Sequence, residues 1–265
     1  MVTQNIKLSI VVCVHNEAGQ LADCLKTLTF ADEIIVVLDR CTDDSKTISL
    51  EFGATIIEGD WPLEGPRRHA GIDLASSAWI LEIDADERVT KTLAQEILQT
   101  IKASEPGYFL VPFNNFVGDR LIRNGWGGSW GVMAAPRLFT RGAKTWGDTY
   151  IHPPLILKGP KRRLKNPLIH YVDKDFKDMI QRLWRYSNYR AQDIRSGNAK
   201  MPSLMSTLRR CCSRFLKCYL FRKGYKEGLW GFTIALMAAL YPLISYLIAN
   251  LESKKTLSKT NEFLS

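Results

Sequence analysis

The chain predicts an α/β fold built on a mostly parallel sheet, and three observations carry that reading. Continuous apolar runs of strand length alternate with segments of helical spacing, which is the pattern of βαβ units. The polar clusters His15-Asn16-Glu17, Asp39 to Asp44 and Asp84-Ala85-Asp86 each fall at the end of such a run. Open parallel sheets bind ligands at the carboxyl ends of their strands, so the clusters share one edge. The third observation is Trp79-Ile80-Leu81-Glu82-Ile83-Asp84-Ala85-Asp86-Glu87, where acids alternate with apolar residues. Period two puts Glu82, Asp84 and Asp86 on one strand face, where unpaired carboxylates repel and resist burial. A divalent cation relieves that repulsion; a half-exposed strand with an acidic face is the plainer alternative.

In order, Leu8 to Val14 is a β-branched run suited to a strand buried on both faces. Leu21, Cys24, Leu25 and Leu28 then give helical spacing over Glu17 to Thr29. Glu33 to Leu38 is a second buried strand, followed by a helix to about Phe52 that Thr42 or Asp43 can cap. Ala54 to Glu58 reads as a third strand, and Pro66 suits the first position of a helix through Ser76. After the acidic strand comes a helix over Thr90 to Ala103, then a strand over Tyr108 to Phe113. No G-x-G-x-x-G or G-x-x-x-x-G-K-[ST] pattern is present, which argues against a dinucleotide or P-loop site.

With 265 residues, 46% of them hydrophobic, the chain can bury a full core. Its +9 charge is uneven: residues 160–226 hold 18 Lys/Arg against 4 Asp/Glu, a net of +14, leaving −5 elsewhere. A basic surface of that kind meets nucleic acid, lipid headgroups or a phosphorylated substrate. Arg209, Arg210, Arg214, Lys217, Arg222, Lys223 and Lys226 interleave with Phe215, Tyr219, Leu220 and Phe221, a basic amphipathic pattern suited to a membrane interface. A nucleic-acid partner is not expected, because no recognition motif accompanies the charge. Gly228 to Leu251 carries no charged residue over 24 positions and is interrupted by Pro242. A spanning helix, a kinked interfacial hairpin and a helix pair packed on the rest all fit it. The six cysteines lack C-x-x-C spacing and no signal peptide is visible, which suggests free thiols in a reducing cytosol.

Val11 to Glu17, Leu38 to Asp43, Gly65-Pro66-Arg67-Arg68-His69-Ala70 and Ile83 to Glu87 resemble, in order and spacing, the family 2 inverting glycosyltransferases. More narrowly the chain is similar to the bacterial lipopolysaccharide-core and cell-envelope glucosyltransferases of that family, over roughly residues 6–250. The resemblance implies a GT-A fold and a UDP-sugar donor. It places Glu17 and Asp39 at the uridine, with His15 and Asn16 shaping the pocket and Arg67 and Arg68 facing the base and diphosphate. Asp84 would lie near the ribose and Asp86 would hold Mg²⁺ or Mn²⁺, with Asp84 as a further ligand.

Single displacement also needs a carboxylate to take the acceptor's proton. Pro136-Arg137-Leu138-Phe139 resembles the family's segment before the acceptor site, where many relatives then carry His-Glu. Here His152 is followed by Pro153, so Asp148 is the expected base and His152 an alternative. Trp126 and Trp130, set among glycines, are expected to lay indole faces against the acceptor, with Arg137 on the same side. His170 reads as a structural histidine.

The expected organisation is a GT-A catalytic domain over 1–175 (nucleotide-sugar half 1–105, acceptor half 106–175), a helical membrane-associating region over 176–252 and a polar tail over 253–265. The expected activity is metal-assisted inverting transfer of a hexose to an envelope glycolipid, on the cytoplasmic face of a bacterial inner membrane with an anionic lipid surface. Transfer to a polyprenyl phosphate and an idle nucleotide-sugar-binding membrane protein are the alternatives.

Overall fold

The computed structural model describes residues 7–127, 130–147 and 154–252. These fall into two compact units, one drawn from Met1–Leu121 and Val132–Val172, the other from Ile122–Gly131 and Asp173–Ser265.

The first unit begins β1 (Leu8–Val14), α1 (Ala18–Leu25), β2 (Glu33–Asp39), α2 (Ser45–Glu51), β3 (Thr55–Gly59), α3 (Glu64–Leu74) and β4 (Trp79–Asp84). It continues through β5 (Glu87–Arg88), α4 (Lys91–Ala103), β6 (Tyr108–Val117), β7 (Arg120–Ile122), β8 (Ala134–Thr140), β9 (Lys144–Trp146), β10 (Leu155–Leu157), β11 (Lys161–Arg163) and β12 (Leu168–Asp173). The main sheet runs β3-β2-β1-β4-β8-β6-β12-β5, with β7 and β11 also on β6. Its first four strands are parallel; β8 then pairs antiparallel with both β4 and β6.

Every position of β1 is buried, as its largely apolar run requires, and Val12 sits in register with Val36 on one side and Ile83 on the other. One sheet face is covered by Leu21, Cys24 and Leu25 of α1 and by Leu93, Ile97 and Ile101 of α4, the i, i+4, i+8 stripe of an amphipathic helix. Thr90 caps α4, its hydroxyl accepting the Leu93 N–H at 3.2 Å. The opposite face buries Val11, Val37, Ile80 and Phe139 under Ile72 of α3. That helix rides close to the sheet because Gly71 has no side chain: a Cβ there would meet Val11 Cγ1 at 2.4 Å and Val37 Cγ2 at 2.7 Å.

Several boundaries differ from expectation. Helix α3 opens at Glu64, two residues before Pro66, and β6 runs on to Val117 with Phe113, Asn115 and Val117 buried in alternation. Strand β4 stops at Asp84, so Asp86 lies in the turn before β5 and does not share a strand face with Glu82 and Asp84.

The second unit contains α5 (Phe176–Arg195), α6 (Leu204–Leu216), a π-helical turn over Lys217–Phe221, a 3-10 turn over Gly224–Glu227 and α7 (Leu229–Leu251). Asp175 caps α5 and Ser203 caps α6. The basic amphipathic segment is therefore a helix followed by two tight turns. Helix α7 continues unbroken through Pro242, which removes both the hairpin and the helix pair from the readings of this stretch.

Candidate active site at the carboxyl edge of the sheet

The parallel strands end on one edge in two left-handed turns, Asn16 at φ 55° and Arg40 at φ 49°. Asparagine tolerates this conformation; for arginine it costs energy and is held by what surrounds it. The Asn16 side-chain oxygen accepts the Thr42 N–H at 2.8 Å, and His15 Nδ1 donates to the Asp39 carbonyl at 2.6 Å. The ends of β1 and β2 are thereby tied together. Glu17 is half-buried and accepts from Gln20 at 2.6 Å.

Asp39 is the best-held carboxylate of this group, only 1% exposed. It accepts Arg40 Nε and Nη2, each at 3.0 Å, the Trp61 N–H at 3.0 Å and Arg67 Nη1 at 3.4 Å. Burial pushes its pKa up, but the Arg40 and Trp61 hydrogen bonds and the Arg67 charge outweigh this and hold it below the usual aspartate range. Arg67 Nε is buried without a hydrogen-bond partner among the described residues.

The acidic stretch is not the set of unpaired carboxylates expected. Glu82 is fully buried and paired with Lys144 of β9, and it also accepts Trp146 Nε1 at 2.9 Å. Burial raises the Glu82 pKa, and the Lys144 and Arg68 charges more than reverse this. Asp84 has one oxygen on Arg68 at 3.0 Å and the other on Arg137 of β8. Its carboxyl, raised by burial, is held far below the usual range by Arg137 and Arg68. Glu87 receives Arg137 on one oxygen and the Asp84 N–H on the other at 3.0 Å. Burial and the neighbouring Asp84 charge nevertheless push its pKa up to about 7. Arg68 is also claimed by Glu64 at 2.8 Å and lies 4.7 Å from the Trp146 ring centroid. Fixed cations therefore do for Glu82 and Asp84 what a bound metal was expected to do, with each Asp84 oxygen already paired to an arginine.

Asp86 is different. Its Oδ1 is buried with no partner among the described residues, and its Oδ2 lies 3.6 Å from His170 Nε2 on β12. Asp86, Glu87 and His170 bring their ligand atoms within 4.8 Å of one another. Both Glu87 oxygens already accept one hydrogen bond each, so Asp86 and His170 are the less engaged members of this trio. The histidine is oriented for it: Nδ1 donates to Asn115 Oδ1 at 2.9 Å, while Asn115 Nδ2 donates to the Val132 carbonyl at 3.0 Å. The amide is thus fixed with its oxygen toward the ring, so Nδ1 carries a proton and Nε2 faces Asp86. Burial lowers the His170 pKa, but the Asp86 charge outweighs this and raises it. His170, read from sequence as structural, belongs to the site.

Other expected residues are placed elsewhere. Arg137 does not face an acceptor; it is 8% exposed and locked between Asp84 and Glu87. Trp126 and Trp130 are 1% and 0% exposed, so neither presents an indole face. Trp126 Nε1 donates to the Ile122 carbonyl at 2.8 Å, and the Arg182 guanidinium lies 4.0 Å from the Trp130 centroid. Asp148 and His152 lie outside the described residues. Sequence reasoning missed Lys144, Trp146, Asn115 and the role of His170. The only signals for the last two are polar residues at positions of otherwise apolar strands.

A parallel strand set extended by antiparallel strands, with its polar clusters on the carboxyl edge, is the GT-A architecture of glycosyltransferases. Residues 9–152, more than half of the chain, match the family described as glycosyl transferase family 2, and the chain belongs to that family. It is similar to the lipopolysaccharide core biosynthesis glycosyltransferase LpsC of Rhizobium meliloti, 25% identical over 260 residues and covering 91% of this chain and 90% of the relative. An uncharacterized glycosyltransferase of Rickettsia felis is 23% identical over 252 residues, covering 88% and 86%. Among solved structures, S. aureus TarS 1–349 superposes with a TM-score of 0.51 at 12% identity, covering 96% of this chain and 92% of that one.

Proposed function

We propose that this glycosyltransferase moves a hexose, with glucose the leading candidate, from a UDP-sugar to a lipopolysaccharide-core or other envelope glycolipid, inverting the anomeric centre. The work would take place at the cytoplasmic face of the inner membrane. The observation that carries the reading is the division of labour on the sheet edge. A buried carboxylate, Asp39, sits beside the buried Arg67 Nε, and an orphaned carboxylate oxygen, on Asp86, sits beside an oriented imidazole. Asp39, with His15, Asn16 and Glu17 about it, suits the uridine; Arg67 suits the diphosphate. The similarity to a lipopolysaccharide core enzyme supports the acceptor class.

The residues fit a divalent cation, with Asp86 and His170 as the protein ligands. A carboxylate with an imidazole suits Mn²⁺ better than Mg²⁺, which prefers oxygen alone. When bound, the ion supplies positive charge against the departing diphosphate. In the transfer itself the acceptor oxygen bonds to the anomeric carbon and the bond from that carbon to the diphosphate oxygen breaks. UDP leaves with the electron pair, and the hydroxyl proton goes to a base, for which Asp148 or His152 is proposed. Arg68, Arg137 and Lys144 act indirectly, by pairing with Glu82, Asp84 and Glu87 so that, among the described residues, Asp86 is the one acid of the stretch without a fixed arginine or lysine partner.

The test is UDP release from a panel of UDP-sugars, with and without Mn²⁺, alongside Asp86→Ala. Metal-dependent release from one sugar, lost in the variant, is the expected result. Absence of both release and metal-dependent donor binding for every sugar would overturn the proposal and leave an idle binding protein.

A further inference from the structure

We infer that the second unit docks onto an anionic phospholipid surface through the outer face of α6, the turns that follow it and the first turn of α7, lying in the headgroup layer without spanning the bilayer. The inference rests on the proposed glycolipid acceptor only for its biological sense; its geometry stands alone.

Helix α7 is long and apolar enough to cross a membrane by length and composition. Its packing argues against that. Gly231, Ile234, Ala238, Tyr241, Ser245 and Ile248 are buried along the length of the helix, which packs on α5 and α6. Helix α5 is charged along its length, with Arg182, Arg185, Arg190, Asp193 and Arg195. Arg195 holds the end of α7 directly, its guanidinium donating to the carbonyls of Ile248, Ala249 and Glu252. Arg214 of α6 lies 5.4 Å from the Tyr241 ring centroid. Spanning would either drag these charges into hydrocarbon or strip α7 of its partners, and both are costly.

What faces outward suits an interface. Met205, Phe221 and Leu229 are 77%, 77% and 79% exposed, and Leu208, Leu216 and Leu220 are exposed between them. Isolated apolar residues on a surface need no explanation, but a run of this size does. Arg209, Arg210, Lys217, Lys223 and Lys226 are exposed in the same stretch. From Ser196 to Leu251 there are 8 Lys/Arg, and the sole acid is Glu227. That carboxylate is buried and accepts the Arg123 and Asn124 N–H groups at 3.1 and 3.0 Å, so no exposed carboxylate opposes the basic charge. An open groove of about 410 Å³, lined by Cys211, Cys212, Phe215, Leu216 and Ala239, offers purely apolar walls between α6 and α7. Cationic side chains beside protruding apolar ones match anionic headgroups over acyl chains.

The experiment is co-sedimentation of the full-length chain with vesicles of phosphatidylcholine alone and of phosphatidylcholine mixed with phosphatidylglycerol. Two variants accompany it, Arg209→Glu/Arg210→Glu and Met205→Ser/Phe221→Ser/Leu229→Ser, each checked for folding by circular dichroism. Expected are salt-sensitive binding to the anionic vesicles, release by an alkaline wash, and about tenfold weaker binding in each variant. Equal binding to both vesicle types, retention through the wash, or variants that change self-association and not sedimentation would each overturn it. Donor binding in solution is measured in parallel and is expected to be the same in all forms. Loss of vesicle binding with donor binding intact sinks the docking surface alone; vesicle binding without donor binding sinks the transfer reaction alone.

Discussion

Replacing Asn115 with alanine removes a side chain that touches no substrate, yet it should weaken Mn²⁺ binding. Asn115 is 1% exposed and makes hydrogen bonds of opposite sense, accepting from His170 at 2.9 Å and donating to Val132 at 3.0 Å, with Met133 Sδ at 4.0 Å. Without the amide, the His170 Nδ1–H has no partner, and the proton can move to Nε2, the nitrogen that faces Asp86. Outer partners of this kind are worth about 10–100-fold in metal affinity, or about 1.4–2.8 kcal/mol. The abandoned Val132 carbonyl and ring N–H add a separate folding cost of about 1–3 kcal/mol for each group. Mn²⁺ affinity is measured by calorimetry or by the electron paramagnetic resonance signal of free Mn²⁺, with unfolding in urea as the control. Asn115→Asp keeps the acceptor for His170 but sets an oxygen against the Val132 carbonyl, so it should retain affinity while losing stability. An Asn115→Ala protein that is folded, less stable and binds Mn²⁺ as the parent does would refute the reasoning, the more so if His170→Ala also binds normally.

Other substitutions test the charge arrangement and the packing. Arg137→Met leaves Glu87 without its cation and Asp84 with only Arg68; breaking buried pairs of this kind costs about 3–5 kcal/mol, read as a lower urea midpoint. Asp39→Asn should cost about 1.5–3 kcal/mol at neutral pH through its weakened charge-assisted bonds. Because the Asp39 pKa is depressed in the fold, its stabilisation is full above the ordinary aspartate value and is lost as pH falls through the lower folded value. The Asn variant should therefore show a shallower acid limb in stability against pH; identical limbs would show that Asp39 contributes nothing there. Gly71→Ala places a methyl against Val11 and Val37, and overpacking of that kind costs about 1–3 kcal/mol, seen as a lower Tm.

The parallel core was legible because its central strands are buried on both faces and so read as largely apolar runs, Leu8–Val14 above all, whereas the edge strand β3 is partly exposed. The strand-end clusters were legible because a parallel sheet brings the same end of each strand to one edge. Partners that arrive from far along the chain were not. Lys144 is 62 residues from Glu82, and Arg137 is 53 from Asp84. Nothing local in the acidic stretch indicates whether a cation or an arginine will answer it. His170 looked structural because one histidine in an apolar strand usually is; only the burial of Asn115 opposite it, at an inward position of β6, changes that. The glycine-flanked tryptophans misled in the other direction. Gly131 allows the chain to close over Trp126, since a Cβ there would meet its ring at 2.4 Å, so this glycine serves packing of the indole and not its display.

The placement of β8 between β4 and β6 has a consequence for how the chain comes off the ribosome. Everything through α4 can be made while β4 is still an open edge carrying Glu82 and Asp84, with Arg137 and Lys144 not yet synthesised. Until β8 slides in, those acids have only Arg68 to balance them, and β6 has no direct pairing with β4. Pairing of β8 joins β6 to β4 and brings Arg137 to Asp84 in the same event, while Glu82 still waits for Lys144 of β9.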